Sequence, residues 1–269
     1  MRARKTSNSM NAFESGTILD LVKNEETSLW HHDVLSVLLI ALLSFFFLLV
    51  FLYAIVLSPM KASLRSQLTL PTSLAAAQVL SQILSEYAEQ QYFRVVAGHA
   101  ACYLFLQTFA IPGTVFFNLL AGALFGLKVG FPLCLLYNTL GSICLYLVSS
   151  KWGGRLFTGS WASKLTTFQS QLDTKSLTWS MTCLRLFPMT PNWFMNVASP
   201  HLHIDLRSFA MSIFVGLAPY NFLSCQAGLM IRDLKSQRDI MNPSTTVALM
   251  LLALLGLILP KLCKRQEST

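Results

Sequence analysis

From Ser176 to Ile204, 29 residues, a single side chain is charged, Arg185, three positions before Pro188. An arginine inside an apolar run is costly and marks a site by default, because its guanidinium must find acceptors away from water. Its planar fork suits a phosphate, or the free carbonyls of a broken helix, in a way that a lysine's point charge does not. Asn192 and Asn196 follow it, Asn118 and Asn138 stand in two other charge-free stretches, and each amide brings donors and an acceptor. Thr114 and Thr190 neighbour Pro112 and Pro191, where a hydroxyl can bond backbone freed by proline. These side chains predict a polar lining able to replace the water around a charged group in apolar surroundings. The competing reading is structural: Arg185 snorkels to a helix end and the amides only satisfy helix breaks.

The chemistry that is missing narrows the field. Between Glu89 and Asp205 the only acidic residue is Asp173, and it lies in a polar linker. Proton relays and sodium sites usually need Asp or Glu within apolar segments, so coupled cation transport is disfavoured. No G-x-S-x-G, H-E-x-x-H or G-x-x-x-x-G-K-S/T signature occurs, and His201 and His203 flank Leu202 with no third ligand nearby. The sequence therefore predicts no enzyme, metal or cofactor. Of six cysteines, Cys102, Cys134, Cys144, Cys183 and Cys225 fall in apolar stretches, and with no C-x-x-C pair they make neither a disulfide framework nor a zinc site.

Positioning such residues falls to long apolar helices. The 269 residues are 54% hydrophobic and 12% charged, against about 25% charged in soluble proteins. That composition excludes a soluble globule, a disordered chain and a collagen. Val34 to Met60, Val95 to Leu127, Val129 to Ser150, Ser208 to Ile231 and Ile240 to Pro260 contain no Asp, Glu, Lys or Arg, and about 20 apolar residues cross a bilayer. The expectation is an all-α polytopic membrane protein. The net charge of +8 is spread along the chain, with clusters at Arg2 to Lys5 and Lys261 to Arg265. It reads as topology under the positive-inside rule, not as a nucleic-acid surface.

Along the chain we expect a disordered cytosolic tail at 1–33, a first transmembrane helix at 34–57 and a polar interval at 58–91. In that interval Leu80, Ile83, Leu84 and Tyr87 share one helical face, beside Glu86 and Glu89 on another, which predicts an interfacial amphipathic helix. A membrane domain at 92–260 and a basic cytosolic tail at 261–269 follow. Two apolar runs are broken, about 110–127 by Pro112 and Gly113, and 184–200 by Pro188, Pro191 and Pro200, and both are expected to be re-entrant. They share a pattern, P-G-T-V-F-F-N at Pro112 to Asn118 and P-N-W-F-M-N at Pro191 to Asn196, of the kind that points to inverted repeats. A linker at 160–175 carries the stripe Trp161, Leu165, Phe168 and Leu172, with Lys164 and Lys175 placed to reach lipid headgroups. Gly122, Gly126 and Gly130, four apart, predict close helix packing.

The runs F-A-I-P-G-T-V-F-F-N-L-L-A-G-A-L-F-G (Phe109 to Gly126) and L-R-L-F-P-M-T-P-N-W-F-M-N (Leu184 to Asn196), with P-Y-N-F at Pro219 to Phe222, resemble the VTT-domain family. That family is related to the bacterial DedA proteins, and the likeness is to its transmembrane protein 41, or stasimon, branch. The resemblance spans roughly residues 80 to 262. It implies an endoplasmic-reticulum protein with two facing re-entrant hairpins, both termini cytosolic, that scrambles phospholipids without ATP. It also implies links to autophagosome formation and to lipid-droplet and lipoprotein homeostasis, with any protein partners unnamed. Carried over, the first hairpin motif falls on Pro112, Gly113, Phe117 and Gly122, and the second on Arg185, Pro188, Pro191, Asn192 and Asn196. DedA relatives resemble P-G-E where this chain has Thr114, which fits a passive headgroup path better than a proton-coupled one. The alternatives are an ion-coupled secondary transporter built on the same broken helices, and a trafficking scaffold acting through tails and amphipathic helices.

Overall fold

The computed structural model of the chain describes residues 31–68, 74–154, 160–170, 172, 177–186 and 191–233. Outside these lie most of the expected N-terminal tail, the last apolar run, the basic C-terminal tail, Asp173, Lys175, Pro188, Thr190 and the side chain of Trp161. Among the described residues every regular element is helical, and three stretches are long and apolar enough to cross a membrane. They are α1 (His31–Leu57), α4 (Thr114–Trp152) and Leu206–Met230, which joins α8 (Leu206–Gly216) to α9 (Ala218–Asp233) through Leu217.

The most apolar part of α1 buries nothing against the protein and exposes Leu42, Phe46 and Phe47, as lipid contact demands. Its last turn, π-helical from Leu52 to Leu57, rests on α3 (Leu74–Thr108), where Gly98 leaves room for Val56 and the Tyr87 hydroxyl donates to the Val56 carbonyl at 2.9 Å. A short α2 (Ala62–Arg65) brings Leu64 beneath the first arm of α3. There Ile83, Tyr87 and Ala88 are buried with Met60 and Leu64. The stripe expected at a membrane interface thus packs on the protein itself, with Glu86 and Glu89 outside. The helix breaks at Gln91 before continuing toward Thr108.

α4 is bent back on itself at Gly126 (φ +67, ψ 175). A Cβ at Gly130 would lie 2.6 Å from the Ala121 carbonyl oxygen, although nine residues of straight helix separate two positions by about 13 Å. The arm before the bend is about 18 Å long, too short for a bilayer core, and the arm after it is about 39 Å. This corrects one sequence expectation: Gly126 is not a packing glycine, since nothing lies within 4 Å of a Cβ built there. It is the residue whose positive φ the reversal requires. Gly122 does face backbone, with a Cβ only 1.8 Å from the Cys225 carbonyl oxygen, and Gly228 meets Leu119 in the same way, so α4 and α9 touch main chain to main chain.

The second half has its own core. α5 (Ser160–Ser170) sets Phe168, flanked by Leu165 and Leu172, against Met181 of α6 (Leu177–Leu186), Phe194 and Met195 of α7 (Asn192–Ala198), and Phe209 and Ile213 of α8. Of the two readings open to this stripe, lying on lipid or packing on the protein, these positions take the second. Asp205 caps α8, accepting from the Ser208 amide at 2.9 Å, and the Thr178 hydroxyl donates to that of Ser208, tying α6 to the cap.

Candidate functional site

Arg185 lies in the last turn of α6 and is only 6% exposed. Gly216 lets α8 close over it, since a Cβ there would sit 2.9 Å from the Arg185 Cβ. Its Nε donates to the Ser212 hydroxyl at 3.0 Å and its Nη1 to Asn196 Oδ1 at 3.0 Å and to Asn192 Oδ1, while its guanidinium carbon stands 5.1 Å from the Phe209 ring centre. Ser212 gives its own proton to the Phe209 carbonyl, so it can only accept here. Among the described residues every partner is neutral, so the positive charge is held there by dipoles in a low-dielectric interior, where its field reaches far.

From this point hydrogen bonds run across the bundle. Asn196 Nδ2 donates to the Ser142 hydroxyl at 3.1 Å, and Gln107 Nε2 reaches the same oxygen at 2.9 Å. One turn earlier on both α3 and α4 stand Tyr103 and Asn138, with Asn138 Nδ2 donating to the Tyr103 hydroxyl at 3.4 Å. The Tyr103 hydroxyl points at Asn221 Oδ1 at 3.5 Å, and Asn118 Nδ2 bonds both that oxygen at 3.0 Å and the Ser224 hydroxyl at 2.9 Å. A polar band thus extends from α6 through α7, α4 and α3 to α9.

Four buried side-chain atoms among the described residues have no partner: Arg185 Nη2, Asn138 Oδ1, Asn118 Oδ1 and His99 Nδ1. The first three belong to this band, and the His99 ring lies 6.1 Å from that of Tyr103. A buried polar atom left unpaired costs about 1–3 kcal/mol, so native proteins hold few.

The sequence-predicted residues divide accordingly. Arg185, Asn192 and Asn196 come together directly, and Asn118 and Asn138 join through Tyr103 and Asn221. Asn118 and Asn196, the ends of the two related Pro-to-Asn patterns, are both wholly buried. Gly113, at φ +130, precedes α4, with Thr114 half-buried as its first residue, whereas Pro112 and Pro191 are exposed before α4 and α7. Phe117 packs on His99 with ring centres 5.4 Å apart. Sequence reasoning missed Tyr103, Gln107, Ser142, Ser212, Asn221 and Ser224. The available signal was spacing: Tyr103 and Gln107, and Asn138 and Ser142, are pairs four apart inside charge-free runs, and Asn221 lies in P-Y-N-F.

Residues 111–230 match the VTT domain family model, which encloses α4 through most of α9. The chain is 40% identical over 199 residues to a transmembrane protein 41 homolog of Dictyostelium discoideum, covering 73% of this chain and 59% of that protein. It is 32% identical over 209 residues to the Drosophila melanogaster homolog, covering 77% of this chain and 65% of the relative. It is 32% identical over 204 residues to transmembrane protein 41B of Mus musculus, covering 75% and 70%. The chain thus spans less than two thirds of the first and second of these relatives. No solved structure matches it.

Proposed function

The chain belongs to the transmembrane protein 41 group of VTT-domain membrane proteins, and on that basis we propose that it is a passive phospholipid scramblase of the endoplasmic reticulum. On this reading the regions at about 110–127 and 184–200 are two facing re-entrant hairpins, and both termini are cytosolic. Headgroups move along the polar band while the acyl chains stay in the membrane. Arg185 attracts the phosphate, and Asn192, Asn196, Asn118 and Thr114 replace its water. The work is done down the lipid's own gradient, without ATP, and serves membrane lipid homeostasis and autophagosome formation.

One observation carries this reading: a buried guanidinium with an unpaired nitrogen and, among the described residues, only neutral partners, continuous with a band of amides and hydroxyls. A coupled cation carrier would place carboxylates there, and the acceptors of this band are neutral. The test is purified protein in liposomes bearing a fluorescent headgroup lipid, with an impermeant reductant added outside. Scrambling predicts loss of the inner-leaflet signal without ATP in sealed vesicles. Loss confined to the outer leaflet overturns the proposal.

A further inference from the structure

The polar band is not chemically uniform. Around Ser142 gather donors: the Arg185 guanidinium, Asn196 Nδ2 and Gln107 Nε2. Toward Tyr103 lie unpaired acceptors: Asn138 Oδ1, one helical turn from Ser142 and about 6 Å along the axis, His99 Nδ1, one turn beyond Tyr103 on α3, and Asn118 Oδ1, whose amide shares Asn221 with Tyr103. All three residues are at most 5% exposed.

Each acceptor is fixed by its other bonds. His99 Nε2 lies 2.9 Å from the Phe117 carbonyl oxygen, which can only accept, so Nε2 carries the proton and Nδ1 is a bare lone pair. Asn118 gives both Nδ2 protons, to Asn221 Oδ1 and the Ser224 hydroxyl. Those partners are committed, because Asn221 Nδ2 donates to the Leu217 carbonyl at 2.9 Å and the Ser224 hydroxyl to the Tyr220 carbonyl at 2.6 Å. The Asn118 amide therefore cannot turn over, and its oxygen stays free. Asn138 directs Nδ2 to Tyr103, leaving its oxygen free as well. Tyr103 is the hub, bonded to Asn138 and Asn221 and stacked beside His99.

We infer that these acceptors form a subsite for the ammonium group of phospholipid headgroups that carry N–H donors, those of the ethanolamine and serine type, and that they discriminate against choline. This rests on the proposed lipid transport. Three neutral acceptors, one of them an imidazole nitrogen that carries no proton, suit a cation that donates hydrogen bonds. The aromatic rings of Tyr103, Phe117, Phe125 and Tyr137, all centred within 6.1 Å of the His99 ring, add faces that attract a cation. A quaternary ammonium has no N–H and leaves the acceptors unpaired. The headgroup then lies with its phosphate at the Arg185 level and its nitrogen one turn away at Tyr103.

The test uses the full chain in detergent and native mass spectrometry with dioctanoyl lipids that differ only in N-methylation: ethanolamine, N-methyl, N,N-dimethyl and choline. Affinity should fall stepwise as N–H groups are replaced, by about tenfold over the series, and Asn138→Leu should flatten it. A flat series on the wild-type protein overturns the subsite, whether or not the variant folds. Free phosphoethanolamine should not displace the lipid at matched concentration, and equal displacement would overturn the lipid assignment. Parallel scrambling measurements separate the two ideas. Scrambling with a flat series removes the subsite alone, whereas a graded series without scrambling removes lipid transport and leaves the binding site.

Discussion

Arg185 and Asn196 lie eleven positions apart, on opposite sides of Pro188 and Pro191, yet the guanidinium donates to the amide oxygen at 3.0 Å with both residues buried. That bond joins α6 to α7, and the same amide passes the connection on to Ser142 of α4. On the proposed function the group that meets the lipid phosphate is also the one that ties these helices together, and substitutions can separate the two roles.

Asn196→Leu leaves a buried cation short of an acceptor and should destabilise the protein by about 1–3 kcal/mol, seen as a lower Tm in detergent. Asn196→Asp keeps the acceptor and adds a carboxylate beside Arg185. It should fold at least as well as Asn196→Leu while slowing scrambling, because an internal anion then occupies the guanidinium. Fast scrambling by a folded Asn196→Asp protein would show that the charge of Arg185 is not what the lipid meets.

Gly122 and Gly126 of α4 should fail differently. Gly126→Ala forces a side chain into a backbone conformation (φ +67, ψ 175) that essentially only glycine adopts, with open space around it, a strain of about 1–3 kcal/mol. Gly122→Ala drives a methyl into the Cys225 carbonyl and must part α4 from α9, which costs about 1–3 kcal/mol or more. Thermal unfolding of the two variants should rank Gly122→Ala below Gly126→Ala, and the reverse order would contradict the assigned packing.

Hydrogen bonds from the Ser208 amide and hydroxyl hold the Asp205 carboxyl below its ordinary value. Its folded form is therefore favoured when ionised. The cap's contribution is complete above about pH 4, the ordinary carboxylate value, and fades as pH falls through the lowered one. Asp205→Ala should cost about 1 kcal/mol at neutral pH, and its Tm deficit should shrink on acidification. Asp205→Asn should keep most of the cap without that pH dependence.

The Tyr103 end of the band gives a further prediction. Tyr103→Phe keeps the ring beside His99 and removes the hydroxyl that links Asn138 to Asn221. It should lower stability by about 1 kcal/mol and slow scrambling less than loss of Arg185 does. Equal loss would place the limiting step at Tyr103.

The all-α class and most of the lining amides were legible because charge is so scarce here that Arg185, Asn118, Asn138 and Asn196 stand out in apolar windows. The bend at Gly126 was hidden, since its spacing from Gly122 and Gly130 mimics a packing stripe and only the backbone dihedral distinguishes them. Tyr103, Gln107, Ser142 and Ser212 escaped because a hydroxyl or a neutral amide in a helix is unremarkable until its partner on another helix is known. The amphipathic stripes at Ile83 and Phe168 were visible as stripes, but periodicity identifies an apolar face without saying whether lipid or protein covers it.

Passage of headgroups by a buried guanidinium, with only neutral partners among the described residues, is the core of the proposed function. Its most direct test is the scrambling rate of Arg185→Gln, which keeps a hydrogen-bonding head and loses the charge, against wild type in matched liposomes with folding verified by Tm. The account predicts ATP-independent scrambling by the wild-type protein and a fall of about tenfold or more in the variant. A folded Arg185→Gln protein that scrambles at the wild-type rate would contradict it.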